Sequence, residues 1–301
     1  MPGPFFITIN HEPEDDIDAA AGKSEQDYGD MFCAFYFVFK SVGNTKAKFA
    51  PIPIIDSYVS NQSKGAKIFP GDQCIDWNGA DAYNMMADQK TTNWRPISGV
   101  LKNENSDGSQ RAATGWYQWA TKDFTGAACT IANNPTCSTN GYVKKLDGTT
   151  ESKQSKGKKP IIIGEWGSNE YFPCVDTASG CTAHAGDAGK KAEWLQQAIT
   201  DFKIEMPQIK AIQYWGDVAT SFDAGHNCFG NDQRYYTTLP TNLTCATDLR
   251  TVPASYAGPT FQAFKSISGS PYFNMTAGLA EGNASSAAAQ KRFNFVSALT
   301  P

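Results

Sequence analysis

The chain has 301 residues, 41% hydrophobic, 12% aromatic and 19% charged, the composition of a globular protein with a sizeable core. A formal net charge of −4 gives no general attraction to nucleic acid or to an anionic lipid surface. No run of about eighteen apolar residues exists to span a membrane, and the length suits one large domain or two ordinary ones.

Residues 5–10 are almost wholly apolar, as a parallel strand buried on both faces is, and they run directly into "HEPEDD". Over 24–42, Phe32, Phe35, Tyr36 and Phe39 fall at i, i+3, i+4 and i+7, which predicts a helix with these four on one face. "AKFAPIPII" (47–55) is extended, because its prolines exclude a helix interior. "QCIDWNGADAYN" (73–84) is strand-like after the turn "PGD", and "GWYQWATKDF" (115–124) predicts a short helix within a Gly/Ser/Asn-rich stretch. The basic run at 143–159 is polar and Gly/Ser-rich, the mark of a solvated loop.

"KPIIIGEW" (159–166) is the clearest strand in the chain. Residues 186–203 form a helix with Trp194, Leu195, Ala198, Ile199 and Phe202 on one side, 209–215 another strand, and 258–267 a last amphipathic helix. The tail 275–301 has weak periodicity and is expected to be disordered. This order of elements predicts an α/β protein with parallel strands and right-handed crossovers, in which function sits at the carboxyl ends of the strands.

Eight cysteines are present, none in a C-x-x-C or zinc-ligand spacing. Cys129 and Cys137, Cys174 and Cys181, and Cys228 and Cys245 lie close together in loops, while Cys33 and Cys74 remain as a possible fourth pair; connectivity stays open. With sequons at Asn61, Asn242, Asn274 and Asn283, the pattern predicts a secreted, disulfide-bonded glycoprotein, although no signal peptide precedes "MPGPFF". Long loops and glycosylation suit a monomer.

The predicted strand ends are His11-Glu12, Asp81 to Asn84, Glu165-Trp166, and Tyr214-Trp215-Gly216-Asp217. A glutamate leaving a buried strand is half out of water, where burial and a neighbouring charge push two carboxyls apart in pKa. One protonated and one ionised carboxyl is what glycosidic bond cleavage requires. Trp and Tyr rings stack on sugar faces while their polar edges stay wet. Trp77, Trp94, Trp116, Trp119, Trp166 and Trp215 all lie near predicted strand ends or loops, and only Trp194 belongs to a helix core. "EPEDD" has the oxygen ligands of a Ca²⁺ site but lacks the spaced acidic loop with glycine. His184 and His226 are expected in solvated loops.

"ITINHEPEDD", "FPGDQCIDWNGADAYN", "KPIIIGEWGS" and "IKAIQYWGD" resemble, in order and spacing, the retaining β-glycanases of glycoside hydrolase family 26, over about residues 4–274. The resemblance implies a (β/α)₈ TIM-barrel catalytic domain over 1–274, with strands four to eight present and its long loops stapled by disulfides. Glu12 would be the acid/base, Glu165 the nucleophile, His11 a hydrogen-bonding partner near it, and Tyr83 the residue that aligns its carboxylate. Trp215 or Tyr214 would floor the cleavage subsite. Trp77, Asn84, Trp116, Trp119, Trp166 and Asp217 complete the expected substrate-binding set. The substrate would be a β-linked polysaccharide such as β-mannan or a related β-glucan, with no metal and no organic cofactor. A retaining reaction predicts carboxyls about 5–5.5 Å apart. If "ITINHE" is strand four, strands one to three are missing, and Met1 is expected to be internal to a longer secreted chain whose signal peptide lies upstream. The alternatives are a carbohydrate-binding protein without chemistry, or an inactive fragment of a hydrolase.

Overall fold

The computed structural model describes residues 4–17, 19–59, 62–84, 94–105, 107–111, 115–121, 142–153, 157–168 and 189–214, with 263, 266 and 267. The strands are β1 (Phe5–Ile7), β2 (Ala47–Phe49), β3 (Asn78–Asn84), β4 (Tyr142–Lys144), β5 (Thr150–Ser152), β6 (Ile161–Ser168) and β7 (Ile209–Tyr214). The helices are α1 (Pro13–Asp16), α2 (Glu25–Ser41), α3 (Asp56–Val59), α4 (Gln62–Ile68), α5 (Ile97–Lys102), α6 (Trp116–Thr121) and α7 (Lys190–Thr200).

β1 pairs with β2 in parallel, and β3, β6 and β7 form a second parallel sheet with β6 in the middle. A parallel bridge from Ile54 to Asp81 links the two, reinforced by hydrogen bonds from Asp81 N to Pro53 O (2.9 Å) and from Ile55 N to Asp81 O (3.2 Å). The protein is therefore a mixed α/β fold with parallel sheets, and the strands expected near residues 6, 50, 76, 161 and 212 are all present. Among the described residues the strands do not close into a barrel.

The helix α2 starts where a capping box dictates. Ser24 Oγ accepts from Asp27 N at 3.2 Å while the Asp27 carboxylate accepts from Ser24 N at 2.9 Å. Phe32 and Phe39 meet Phe49 of β2 edge-on, at 5.9 and 5.4 Å between ring centroids. Phe35 departs from the expected face and is 45% exposed, because the side of α2 that meets the sheet runs through Tyr28, Phe32, Tyr36 and Phe39. At the far end, Lys40 Nζ reaches Asp76 (2.9 Å), whose carboxylate also accepts from Phe49 N (2.9 Å), tying α2, β2 and the approach to β3 together.

Three further expectations change. The strand placed over 73–84 begins only at Asn78, since residues 72–74 make a single 3₁₀ turn after Gly71, at φ 90°. The basic run is not simply a loop. Its first half is the antiparallel hairpin β4–β5, and the buried Lys153 that follows donates to Lys67 O at 2.7 Å, covering an open carbonyl near the end of α4. The helix expected over 186–203 is described from residue 190, and Asp201–Glu205 widens to a π turn after α7. Of the 258–267 helix only residues 263, 266 and 267 are described, with Ala263 and Ile267 in the core. The tail 275–301, the four sequons and the three local cysteine pairs lie outside the described residues.

Cys33 of α2 and Cys74 are joined by a disulfide that closes a loop 41 residues apart in sequence. A loop of that length removes unfolded-state entropy worth about 4 kcal/mol in the chain-entropy account. A Cys33→Ala/Cys74→Ala variant should lose roughly that stability in urea denaturation; an unchanged midpoint would show the bridge to be energetically idle.

Candidate active site

After β1 the chain turns sharply: Asn10 and Glu12 both adopt left-handed backbone, at φ 54° and 50°. Non-glycine residues held this way cost on the order of 1–2 kcal/mol each, so the turn persists because its surroundings enforce it. Glu12 N donates to Ile52 O at 3.0 Å, and Pro13 then opens α1 with the φ a first helical turn needs. Glu14 turns inward, and its Oε1 accepts from Ile54 N at 3.0 Å; burial pushes its carboxyl above the usual range. Asp15 and Asp16 face outward, so the acidic run is divided between the interior and solvent and forms no Ca²⁺ loop.

β3 and β6 supply the rest. Their register places Asp81 opposite Glu165 and Tyr83 opposite Gly167, after an irregularity at Ala80/Asp81. Because side chains alternate along a strand, Asp81, Tyr83 and Glu165 share one face. Gly164 is required here: a Cβ on it would lie 2.6 Å from Ile52 and 2.9 Å from Asp81 Oδ1. On this face Tyr83 OH donates to Glu165 Oε2, His11 Nε2 lies 2.6 Å from Asp81 Oδ2, and the same nitrogen lies 3.4 Å from Glu165 Oε1.

The electrostatics follow from burial and pairing. Contact with the Asp81 carboxylate raises His11 to about 9, against a cost from partial burial. Burial pushes the Asp81 carboxyl up and His11 pulls it back, so the two titrate as a coupled pair. Glu12 is also pushed up, first by burial; the His11 charge opposes this and the Glu165 charge adds to it. Burial and the neighbouring Glu165 raise the Tyr83 phenol, which stays a donor. Among the described residues, His11, Asp81 and Glu165 are the group whose ligand atoms could hold a metal ion, all within 4.8 Å of one another.

The site thus gathers His11, Glu12, Tyr83 and Glu165, and adds Asp81. The sequence signal for Asp81 is that it is the one charged residue of β3, two positions before Tyr83 and so on the same face. Among the described residues, the expected aromatic platforms do not assemble around it. Trp166 is 0% exposed and packs on the opposite face against Trp194, Phe202 and Tyr214, at 5.1, 5.4 and 5.4 Å. Strand alternation requires this: the neighbour of Glu165 cannot share its face. Tyr214 is buried in the same cluster.

Trp116 and Trp119 belong to the core through α6, with Trp119 against Tyr58 and Phe69 at 4.4 and 5.0 Å, and Trp94 is buried too. Trp77 precedes β3, against Phe6 at 4.9 Å, and so sits at the amino end of the strand rather than the carboxyl end. Asn84 is buried and engaged, donating to Ser168 Oγ (3.1 Å) and accepting from Arg95 N (3.2 Å), so it locks strand ends together rather than facing a cleft. Trp215, Asp217, His184 and His226 lie outside the described residues.

No family model matches the sequence, and no curated protein matches it either. Among solved structures, a similar chain is the catalytic domain of the Bacillus sp. JAMB-750 GH26 endo-β-1,4-mannanase, 14% identical with a TM-score of 0.37. The likeness covers 73% of this chain and 43% of that one, so this chain spans less than half the length of that neighbour. A likeness of this degree defines neither fold nor activity.

The His11–Asp81 pair generates a direct expectation. The His11 imidazole should titrate by NMR with a midpoint near about 9, and Asp81→Asn should bring it back toward 6.5. Since the folded-state value is the raised one, the stability the pair confers is complete below about 6.5 and lost as pH rises through about 9. An imidazole midpoint unmoved by Asp81→Asn would remove the pairing as the cause.

Proposed function

We propose that this face is the active site of a glycoside hydrolase that cleaves a β-linked polysaccharide with retention of configuration. Glu165 is the nucleophile and Glu12 the acid/base. The observation that carries the reading is the asymmetry around the two glutamates. Glu165 faces two donors, the Tyr83 hydroxyl and His11 Nε2, whereas Glu12 is driven toward its protonated form by burial and by the charge of Glu165. An acid of raised pKa beside a carboxylate held in line is the pair a two-step displacement uses.

In the first step Glu165 attacks the anomeric carbon while Glu12 protonates the departing glycosidic oxygen; in the second, Glu12 takes a proton from water as the glycosyl-enzyme ester is hydrolysed. Tyr83 fixes the rotamer of Glu165 through one oxygen and leaves the other for attack. His11, held by Asp81, adds a positive charge beside the ester that forms. A β-mannan or related β-glucan is the proposed substrate, met outside the cell, and Trp215 and Asp217 are proposed to contact it. The reading as a sugar-binding protein without chemistry loses the platforms of Trp94, Trp116, Trp119 and Trp166, which are core residues.

Glu12→Gln should lower turnover on a β-glycan by about 10²–10⁴-fold, the usual worth of a general acid. Glu165→Ala should abolish nearly all turnover, with azide restoring a product of inverted configuration. Wild-type rates in Glu165→Ala would end the assignment. The pH dependence has a defined sign. The alkaline limb of kcat/KM marks proton loss from Glu12, which the His11 charge promotes, so His11→Ala should move that limb to higher pH.

A further inference from the structure

We propose that His11, Asp81 and Glu165 together form a binding site for a borderline divalent transition-metal ion of the Zn²⁺ or Cu²⁺ type, which on binding blocks the active site described above. The blocking rests on the hydrolytic reading; the binding does not. One imidazole nitrogen and two carboxylate oxygens are a donor set that suits these ions. Hard cations such as Ca²⁺ seek six or more oxygens and are poorly served by it.

The geometry is close to what such an ion needs. Tetrahedral ligands at about 2.0–2.1 Å from Zn²⁺ lie about 3.3 Å from one another. His11 Nε2 and Glu165 Oε1 are already 3.4 Å apart. The 2.6 Å between His11 Nε2 and Asp81 Oδ2 must widen, and the His11 side chain, 36% exposed, has room to withdraw. Opening that pair releases the Nε2 proton to solvent and replaces a contact between imidazole and carboxylate with two bonds to metal, so uptake strengthens as pH rises.

A second observation points to a ligand independently. Asp81 is 1% exposed; its Oδ2 meets His11 Nε2 at 2.6 Å, while its buried Oδ1 finds no hydrogen-bond partner among the described residues. Buried carboxylate oxygens ordinarily have such partners, and a metal ion would supply one. Tyr83 completes the arrangement. By donating to Glu165 Oε2 it orients the carboxylate and leaves Oε1 toward His11, the outer support that ligating carboxylates characteristically have. With three protein ligands a fourth position stays open to water, and the ion then occupies the space in which Glu165 would attack.

The test is calorimetric titration of the full chain with ZnCl₂, with CaCl₂ and MgCl₂ as comparisons. One Zn²⁺ should bind per chain and neither hard cation should. His11→Ala and Asp81→Asn should each weaken Zn²⁺ binding at least about 100-fold and Tyr83→Phe about 10-fold or more. A His184→Ala/His226→Ala variant should bind as the parent does. No saturable Zn²⁺ binding, or equal affinity in His11→Ala, overturns the site. If the Asp81 or His11 variant fails to fold, Co²⁺ added to the parent chain decides: an intense four-coordinate visible spectrum supports the site, and the weak spectrum of the hydrated ion overturns it. A chain that binds Zn²⁺ but turns over no β-glycan keeps the metal site and loses the hydrolase. A chain that hydrolyses β-glycan and ignores Zn²⁺ does the reverse.

Discussion

Asp81 is where the backbone and the chemistry of this protein meet. Its amide and carbonyl bind Pro53 and Ile55, and this is the bridge by which the β1–β2 pair joins the β3–β6–β7 sheet. Its side chain, on the same residue, holds His11. A buried carboxylate is costly unless something compensates it, and here a group from the far side of that bridge does so. The site forms only when the two sheets are joined, and the joint exposes no charge to an apolar interior only when His11 arrives. Gly79 and Gly164 make the close approach possible, since a Cβ at either would lie 2.6 Å from the Pro51–Ile52 segment.

That coupling explains the odd backbone at the start of the chain. Asn10 and Glu12 are held left-handed, an expense no local preference would choose. Several anchors enforce it: Glu12 N on Ile52 O, Glu14 on Ile54 N, and His11 on Asp81. All three lead to the segment 52–54 that bridges the sheets or to Asp81 opposite it. Strain in the turn is therefore balanced by interactions that also place Glu12 and His11. The Cys33–Cys74 bridge and the Lys40–Asp76 pair act one layer further out, holding α2 against the approach to β3.

Much of this was legible in the sequence where the signal is local. Apolar strand runs and the glutamates at strand ends can each be read from a few neighbouring residues, and each of the parallel strands begins within the run that announced it. What could not be read depends on partners distant in the chain. Trp116 and Trp119 sit on a short helix expected within a Gly/Ser/Asn-rich stretch, and Trp119 becomes a core residue because Tyr58 and Phe69, some 50–60 residues earlier in the chain, receive it. Asp81 and His11 are separated by 70 positions, and only the left-handed turn brings them together. Trp166 is a different case. Its direction was fixed by alternation from the moment Glu165 was placed on the site face, so the strand rule alone assigns it to the core.

The burial of those rings bears on how the proposed enzyme would work. Stacking on aromatic faces binds a sugar in its ground state about as well as in its transition state, which lowers KM without raising kcat. The face around Glu165 offers instead a phenol donor, an imidazole and two further carboxyls. These groups respond to charge that develops during reaction. In the proposed reaction, the imidazole and phenol beside Glu165 would steady the carboxylate before attack, and the burial that raises Glu12 would favour it as the acid when the leaving oxygen becomes negative. The described part of the site is thus weighted toward the chemical step rather than toward holding a long polysaccharide. In the proposed centre the two glutamates differ in their surroundings: burial acts on Glu12, and the Tyr83 hydroxyl donates to Glu165.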